Sequence, residues 1–103
     1  MNSVISKILS STQRALIGEI TQNMRAIYVA LENDIIKLLF IYNGDITDDD
    51  LDNIGYISSL IIADFNEYII DEKAIRIDYP DLFIVPQNYF LAYKTDNICS
   101  DKK

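Results

Sequence analysis

The chain has 103 residues, 16 acidic and 9 basic, with no His and one Cys, and a formal net charge of −7. Half of its residues are hydrophobic, which suits a folded globular domain rather than a disordered segment, and the length fits one domain with a modest core that needs no covalent staple. The lack of His removes the Ser-His-Asp triad, the Cys-His pair and imidazole metal sites, while the lone Cys99 in a polar tail permits neither an internal disulfide nor a Cys-rich zinc centre.

The first predicted element is a helix from about Ser3 to Ile17, on which Ile5, Ile8, Leu9, Thr12 and Leu16 recur at helical spacing. Gly18 is placed to end it, since glycine enters the left-handed region without steric cost. Two strands follow, Met24–Glu32 and Ile35–Asn43, joined at Asn33-Asp34, residue types that tolerate positive φ. A two-residue turn pairs Leu31 with Ile36, Val29 with Leu38, Ile27 with Phe40 and Arg25 with Tyr42, gathering one apolar face from both strands. The second face carries Ala26, Tyr28, Ala30, Lys37, Leu39 and Ile41. It is too apolar to stand wholly in water, so something is expected to cover part of it.

Asn43-Gly44-Asp45 breaks the second strand. A second helix then starts with Thr47 as N-cap and Asp50 at the third helical position, a short version of the capping box. The early carboxylates also complement the helix dipole. Leu51, Ile54, Ser58, Ile61, Ile62 and Phe65 form its expected inner side and Asp49, Asp52, Asn53, Tyr56 and Leu60 its outer side, with an end near Asn66. Strand character returns at Tyr68–Ile70 and Ala74–Tyr79, interrupted at Asp71-Glu72-Lys73, and again at Tyr89–Lys94. The expected fold is α+β, in the order helix-strand-strand-helix-strand-strand, with a four-stranded antiparallel sheet and two helices packed on one face. A single domain over 1–103 is expected, ordered over about 3–94, with a flexible polar tail at 95–103.

The stretch MNSVISKILSSTQR lacks the unbroken apolar run of a secretion signal, and no uncharged run, Asn53 to Ala63 included, approaches the length of a membrane span. The expected location is the cytoplasm, with no membrane partner. The Lys and Arg residues are scattered, which argues against nucleic acid as a partner. The acid run from Asp45 is not a calcium loop: the glycine and glutamate positions of such a loop fall on Asp50 and Tyr56. Carboxylate pairs such as Asp71 and Glu72, or Asp78 and Asp81, have no cleft to work in, and the isolated glycines build no phosphate loop. No catalytic residue, cofactor or metal is expected, and the protein reads as a non-enzyme.

Charge distribution is the most informative feature. Residues 45–81 hold 11 acidic and 2 basic residues, whereas the flanking segments are each close to neutral. Such a segment either solubilises the protein or steers a basic partner to it. Tyr56 and Leu60 sit one turn apart within this segment, beside Asp48, Asp49, Asp52 and Asn53, and Glu67, Asp71 and Glu72 extend the acidic surround. An aromatic anchor inside a polar rim is interface anatomy.

The run from Arg14 to Phe65, followed by AIRIDYP and YFLAY, resembles a group of small bacterial proteins. The shared features fall at Leu16 to Gly18, Asn23 to Ala26, Phe40 to Gly44, Asp48 to Asp50, Ile62 to Phe65 and Arg76 to Pro80, within residues 12–94. Members include immunity proteins of toxin systems such as contact-dependent growth inhibition. The resemblance carries over no catalytic residue, and Tyr68 and Leu82–Asn88 are where this chain is most individual. Taken with the acidic segment 45–81 and the absent catalytic apparatus, the resemblance points to an immunity protein that binds and neutralises a cognate basic toxin, a nuclease, through an acidic surface; a monomer or weak homodimer is expected when free. The alternative is a non-enzymatic intracellular adaptor or self-associating subunit, motivated by Tyr28, Leu39 and Ile41 on the second hairpin face.

Overall fold

The computed structural model describes residues 3–95. The elements are α1 (Ser3–Ala15), β1 (Met24–Glu32), β2 (Ile35–Tyr42), α2 (Asp48–Ile62), β3 (Ile69–Arg76) and β4 (Phe90–Lys94). The expected order of helices and strands and the α+β class are present. The expected flexible tail lies outside the described residues, apart from Thr95, whose N–H donates to the Arg25 carbonyl at 3.1 Å.

The β1–β2 hairpin forms as its pattern dictates. Asn33 takes a φ of 57°, and Leu31 pairs with Ile36, Val29 with Leu38 and Ile27 with Phe40. The expected Arg25–Tyr42 pair does not form. A bulge between Met24 and Ala26 sets Met24 opposite Tyr42 instead. One extra residue reverses the side-chain alternation. Met24 therefore enters the core, fully buried, and Arg25 turns to the second face, where its guanidinium meets the Tyr79 and Phe83 rings.

The sheet order is β3-β2-β1-β4, with β2 and β3 parallel and the other pairs antiparallel. The wholly antiparallel sheet expected from the sequence is thus corrected. The physical reason is the connection: β2–α2–β3 is a strand-helix-strand crossover, and a helix-length link is what a parallel neighbour requires. Asp71-Glu72-Lys73 does not interrupt β3, because β3 is an edge strand whose charged side chains reach water without leaving the ladder.

Ile8, Ala15 and Leu16 join Ile54, Ile57 and Ile61 of α2 and Ile27, Val29, Ile36, Leu38, Phe40 and Tyr42 of the hairpin in one buried cluster. Burying each large aliphatic chain contributes roughly 1.5–3 kcal/mol before conformational entropy is counted. The inner side of α2 is rotated from the expected one: Asp50 and Ile57 are buried, whereas Leu51 is 52% exposed. The rotation follows from the cap, which draws Asp50 inward.

β3 and β4 lie at opposite edges, so residues 77–89 must pass across the hairpin. Phe83 packs edge-on against Tyr28, with ring centroids 6.3 Å apart. Ala26, Ala30 and Ile41 are buried on this second face. The cover expected there is this segment, and it hides much of the patch that motivated self-association.

Two buried hydroxyls, those of Tyr42 and Ser58, have no hydrogen-bond partner among the described residues. Burial, with the Asp50 charge adding to it, pushes the Tyr42 hydroxyl well above the ordinary phenol range. Tyr42→Phe removes an unsatisfied polar atom and keeps the ring, so it should be neutral or stabilising by up to about 1 kcal/mol. Ile57→Ala should cost about 2–5 kcal/mol. Urea denaturation of both variants measures the contrast.

Candidate binding surface

The acidic residues of 45–81 divide into those that build the fold and those that face solvent. Asp50 builds: its N–H donates to Thr47 Oγ1 at 3.1 Å, and its Oδ2 accepts from the Thr47 N–H at 3.0 Å and from Asn23 Nδ2 at 3.1 Å. The capping box read from the sequence is therefore complete, and Asn23 ties it to the entry of β1. Asp64 accepts from Ser11 Oγ at 2.6 Å and pairs with Arg14 at 3.2 Å, joining the end of α2 to α1. Those bonds, the Ser11 hydroxyl foremost, hold its carboxyl below the usual carboxylate range.

Arg76 organises a third group. It pairs with Asp45 at 2.5 Å and donates twice to Asp78, from Nε at 2.9 Å and Nη2 at 3.0 Å. Asp78 also accepts the Gly44 N–H at 2.8 Å, where Gly44 has a φ of 84°. The turn after β2 is thereby stitched to the end of β3. The Arg76 bond first, and the Gly44 N–H next, hold the Asp78 carboxyl below its ordinary value.

The remaining carboxylates of the segment, Asp48, Asp49, Asp52, Glu67, Asp71, Glu72 and Asp81, are exposed. At about 100° per residue, Asp49, Asn53, Tyr56 and Leu60 form one stripe along α2, with Asp52 at its margin and Asp48 a further step round. Tyr56 is 53% exposed and Leu60 is 39% exposed. Leu60 also borders a shallow depression of about 220 Å³ with Ser11, Arg14, Ala15 and Asp64. Asn53 is committed within the fold, because its Nδ2 donates to the Glu19 carbonyl at 3.1 Å.

The β3 acids separate. Glu72 pairs with Leu38, on the side of the buried cluster, and Asp71 pairs with Lys37, on the opposite side. Only Glu72 therefore shares a face with α2. Asp71 adds to the field on Lys37, whose ammonium is raised chiefly by its hydrogen bond to Glu32. Among the described residues no group of three His, Cys, Asp or Glu side chains is placed to hold a metal ion. No helix there is long and apolar enough to cross a membrane.

Tyr56 and Leu60 thus face solvent beside the exposed Asp49 and Asp52. A model of the MafI2 immunity protein family matches residues 5–91. The chain belongs to this family. MafI2 membership carries an immunity role against a toxin, and it places the chain in a Maf-type system rather than specifically in contact-dependent growth inhibition. No curated protein matches the chain.

The matched segment of this MafI2 chain includes apolar residues that the sequence reading passed over as surface. Leu51 stands exposed on the other flank of α2, and Leu82 and Ile84 are 92% and 98% exposed in 77–89. For Leu82 and Ile84 the signal was the individuality of Leu82–Asn88, an uncharged run with no periodicity to read.

The acid pairs of this MafI2 protein set its behaviour at low pH. A carboxyl held low in the folded state stabilises above its unfolded value of about 3.9 and loses that effect as pH falls through the folded value. Asp78→Asn should therefore lower the urea midpoint at about pH 6 and lose less between about pH 4 and pH 2 than the unaltered chain does. Midpoints measured across that window check both.

Proposed function

We propose that this chain is a non-enzymatic, single-domain immunity protein that neutralises a cognate toxin in the cytoplasm, the toxin being a nuclease held through an acidic surface. The observation that carries the reading is the α2 stripe, in which Tyr56 and Leu60 stand exposed beside Asp49 and Asp52. Both helices cover one face of the sheet in this reading, which leaves the outer side of α2 to meet the toxin. Asp48 and Glu67 broaden the field, and Glu72 continues it along the edge of the sheet. Asn53 serves by holding α2 to the α1–β1 loop, and Asp71 contributes to steering at a distance.

A nuclease that binds phosphate carries a basic cleft, so exposed carboxylates attract it and compete with the polyanion. Long-range steering raises the association rate, and salt screens it over about 10 Å at 0.1 M. Tyr56 is the short-range part of the contact. An aromatic ring half in water gains most of its remaining burial on binding and governs dissociation. The free protein is read as a monomer, since Phe83 and its neighbours already occupy the second sheet face.

The test is growth rescue. The reading frame directly upstream is searched for a large protein, its C-terminal domain is induced in a test strain with and without the chain, and the chain should restore growth. Failure to rescue overturns the reading. Asp49→Asn with Asp52→Asn should slow association with that domain by about tenfold at low salt and by much less at high salt, while Tyr56→Ala should chiefly speed dissociation. Stopped-flow and surface-binding kinetics separate the two effects.

A further inference from the structure

The segment that crosses the second sheet face encloses, with the hairpin and β4, a cavity of about 350 Å³ lined by Arg25, Tyr28, Tyr79, Leu82, Phe83 and Lys94, among others. The bulge in β1 is what delivers Arg25 there. Its guanidinium lies 4.9 Å from the Phe83 ring centroid and 5.8 Å from that of Tyr79, and its Nη1 donates to the Ile77 carbonyl at 2.6 Å. Arg25 is only 8% exposed. The group is thus clamped between two rings and a carbonyl, in one orientation, at the wall of a cavity.

Among the described residues no carboxylate pairs with Arg25 or with Lys94. Asp78 feels the Arg25 charge, but its oxygens are engaged by Arg76 and the Gly44 N–H. A buried cation is costly unless an anion meets it, and ring faces and one carbonyl offset only part of that cost. Carboxylates outnumber cations in this chain, 16 to 9, yet among the described residues two cations and no acid line this cavity. At the margin Leu82 is 92% exposed, and Ile84 of the same segment is 98% exposed. Neighbouring apolar side chains this open mark a contact with a larger body, whereas a small anion needs only the two charges.

We propose that this cavity is a binding site for the carboxylate of an acidic residue set in an apolar segment of a protein partner. The carboxylate sits between Arg25 and Lys94, accepting hydrogen bonds from both, and its apolar neighbours lie on Leu82 and Ile84. The site lies on the sheet face away from the buried cluster and takes the opposite charge from the α2 stripe. It therefore adds a contact of different chemistry to the one proposed above.

The test needs no toxin, so its failure is distinct from failure of the immunity reading. The ¹⁵N-labelled full chain is titrated by NMR with the blocked peptide acetyl-Leu-Asp-Leu-amide, with its Asn counterpart, and with sodium acetate and sodium phosphate. The Asp peptide should shift the Arg25 Nε–H signal and the Phe83 and Lys94 amides, and bind about tenfold more tightly than the Asn peptide. Lys94→Gln, at an exposed position, should weaken it about fivefold without disturbing the rest of the spectrum. Leu82→Ala should weaken the peptide and leave acetate unchanged. Equal binding of the Asn peptide, indifference to Lys94→Gln, or no shift at these signals overturns the site. Acetate or phosphate binding as tightly as the Asp peptide also overturns the protein partner, leaving a free-anion site.

Discussion

Everything in this molecule hangs on the β1–β2 hairpin. It is the central pair of the sheet, β3 adds only to β2, and β4 adds only to β1. Ile27, Val29, Leu38 and Phe40 of one face are buried with residues of both helices. On the other face Ala26, Ala30 and Ile41 are buried as well. A two-stranded ribbon in water is marginal at best, and covering it on both faces is what makes it a scaffold. The register that the Asn33 turn sets therefore decides where every later element attaches.

Both surfaces of functional interest follow from how the chain leaves that hairpin. The capping box starts α2 directly after β2, and Asn23 fastens that cap to the foot of β1. The same helix is the crossover that makes β3 parallel. Its inner side is spent on Ile54, Ile57 and Ile61, so Asp49, Asp52 and Tyr56 are left outside. The placement of β3 and β4 at opposite edges then takes residues 77–89 across the second face. That return builds the cavity around Arg25. The acidic stripe and the cationic cavity are two results of one topological choice.

The acid-rich stretch shows how one composition serves two purposes. Asp45, Asp50, Asp64 and Asp78 are tied to Arg76, Thr47 with Asn23, Ser11 with Arg14, and Gly44. They clamp turns and helix ends, where the free backbone and side-chain donors are. Asp48, Asp49, Asp52, Glu67 and Glu72 are exposed, and their contribution is to the field outside the protein. A count of charges along the chain sees one block, and only the positions of the donors split it.

The sequence by itself determined what depends on neighbours in the chain. The hairpin register near its turn, the α2 cap, the element order and the outer stripe of α2 rest on local periodicity and turn chemistry. Helix ends and the inner side of α2 came out less well, because capping draws Asp50 in and turns Leu51 out. Tertiary structure alone decided the opposite edges for β3 and β4 and the side of the sheet that Arg25 faces, whereas the parallel β2–β3 pair had a signal that went unused. A crossover link and a hairpin link read alike when only strand propensity is scored, although the helix between β2 and β3 was the available signal. The bulge at Arg25 left no local mark, since it is imposed by packing Met24 into the core. The cavity brings Arg25 of β1 together with Tyr79, Phe83 and Lys94, which come only after α2 and β3 in the chain. No spacing rule connects them, because what joins them is the path of a segment across a face rather than a repeat along an element.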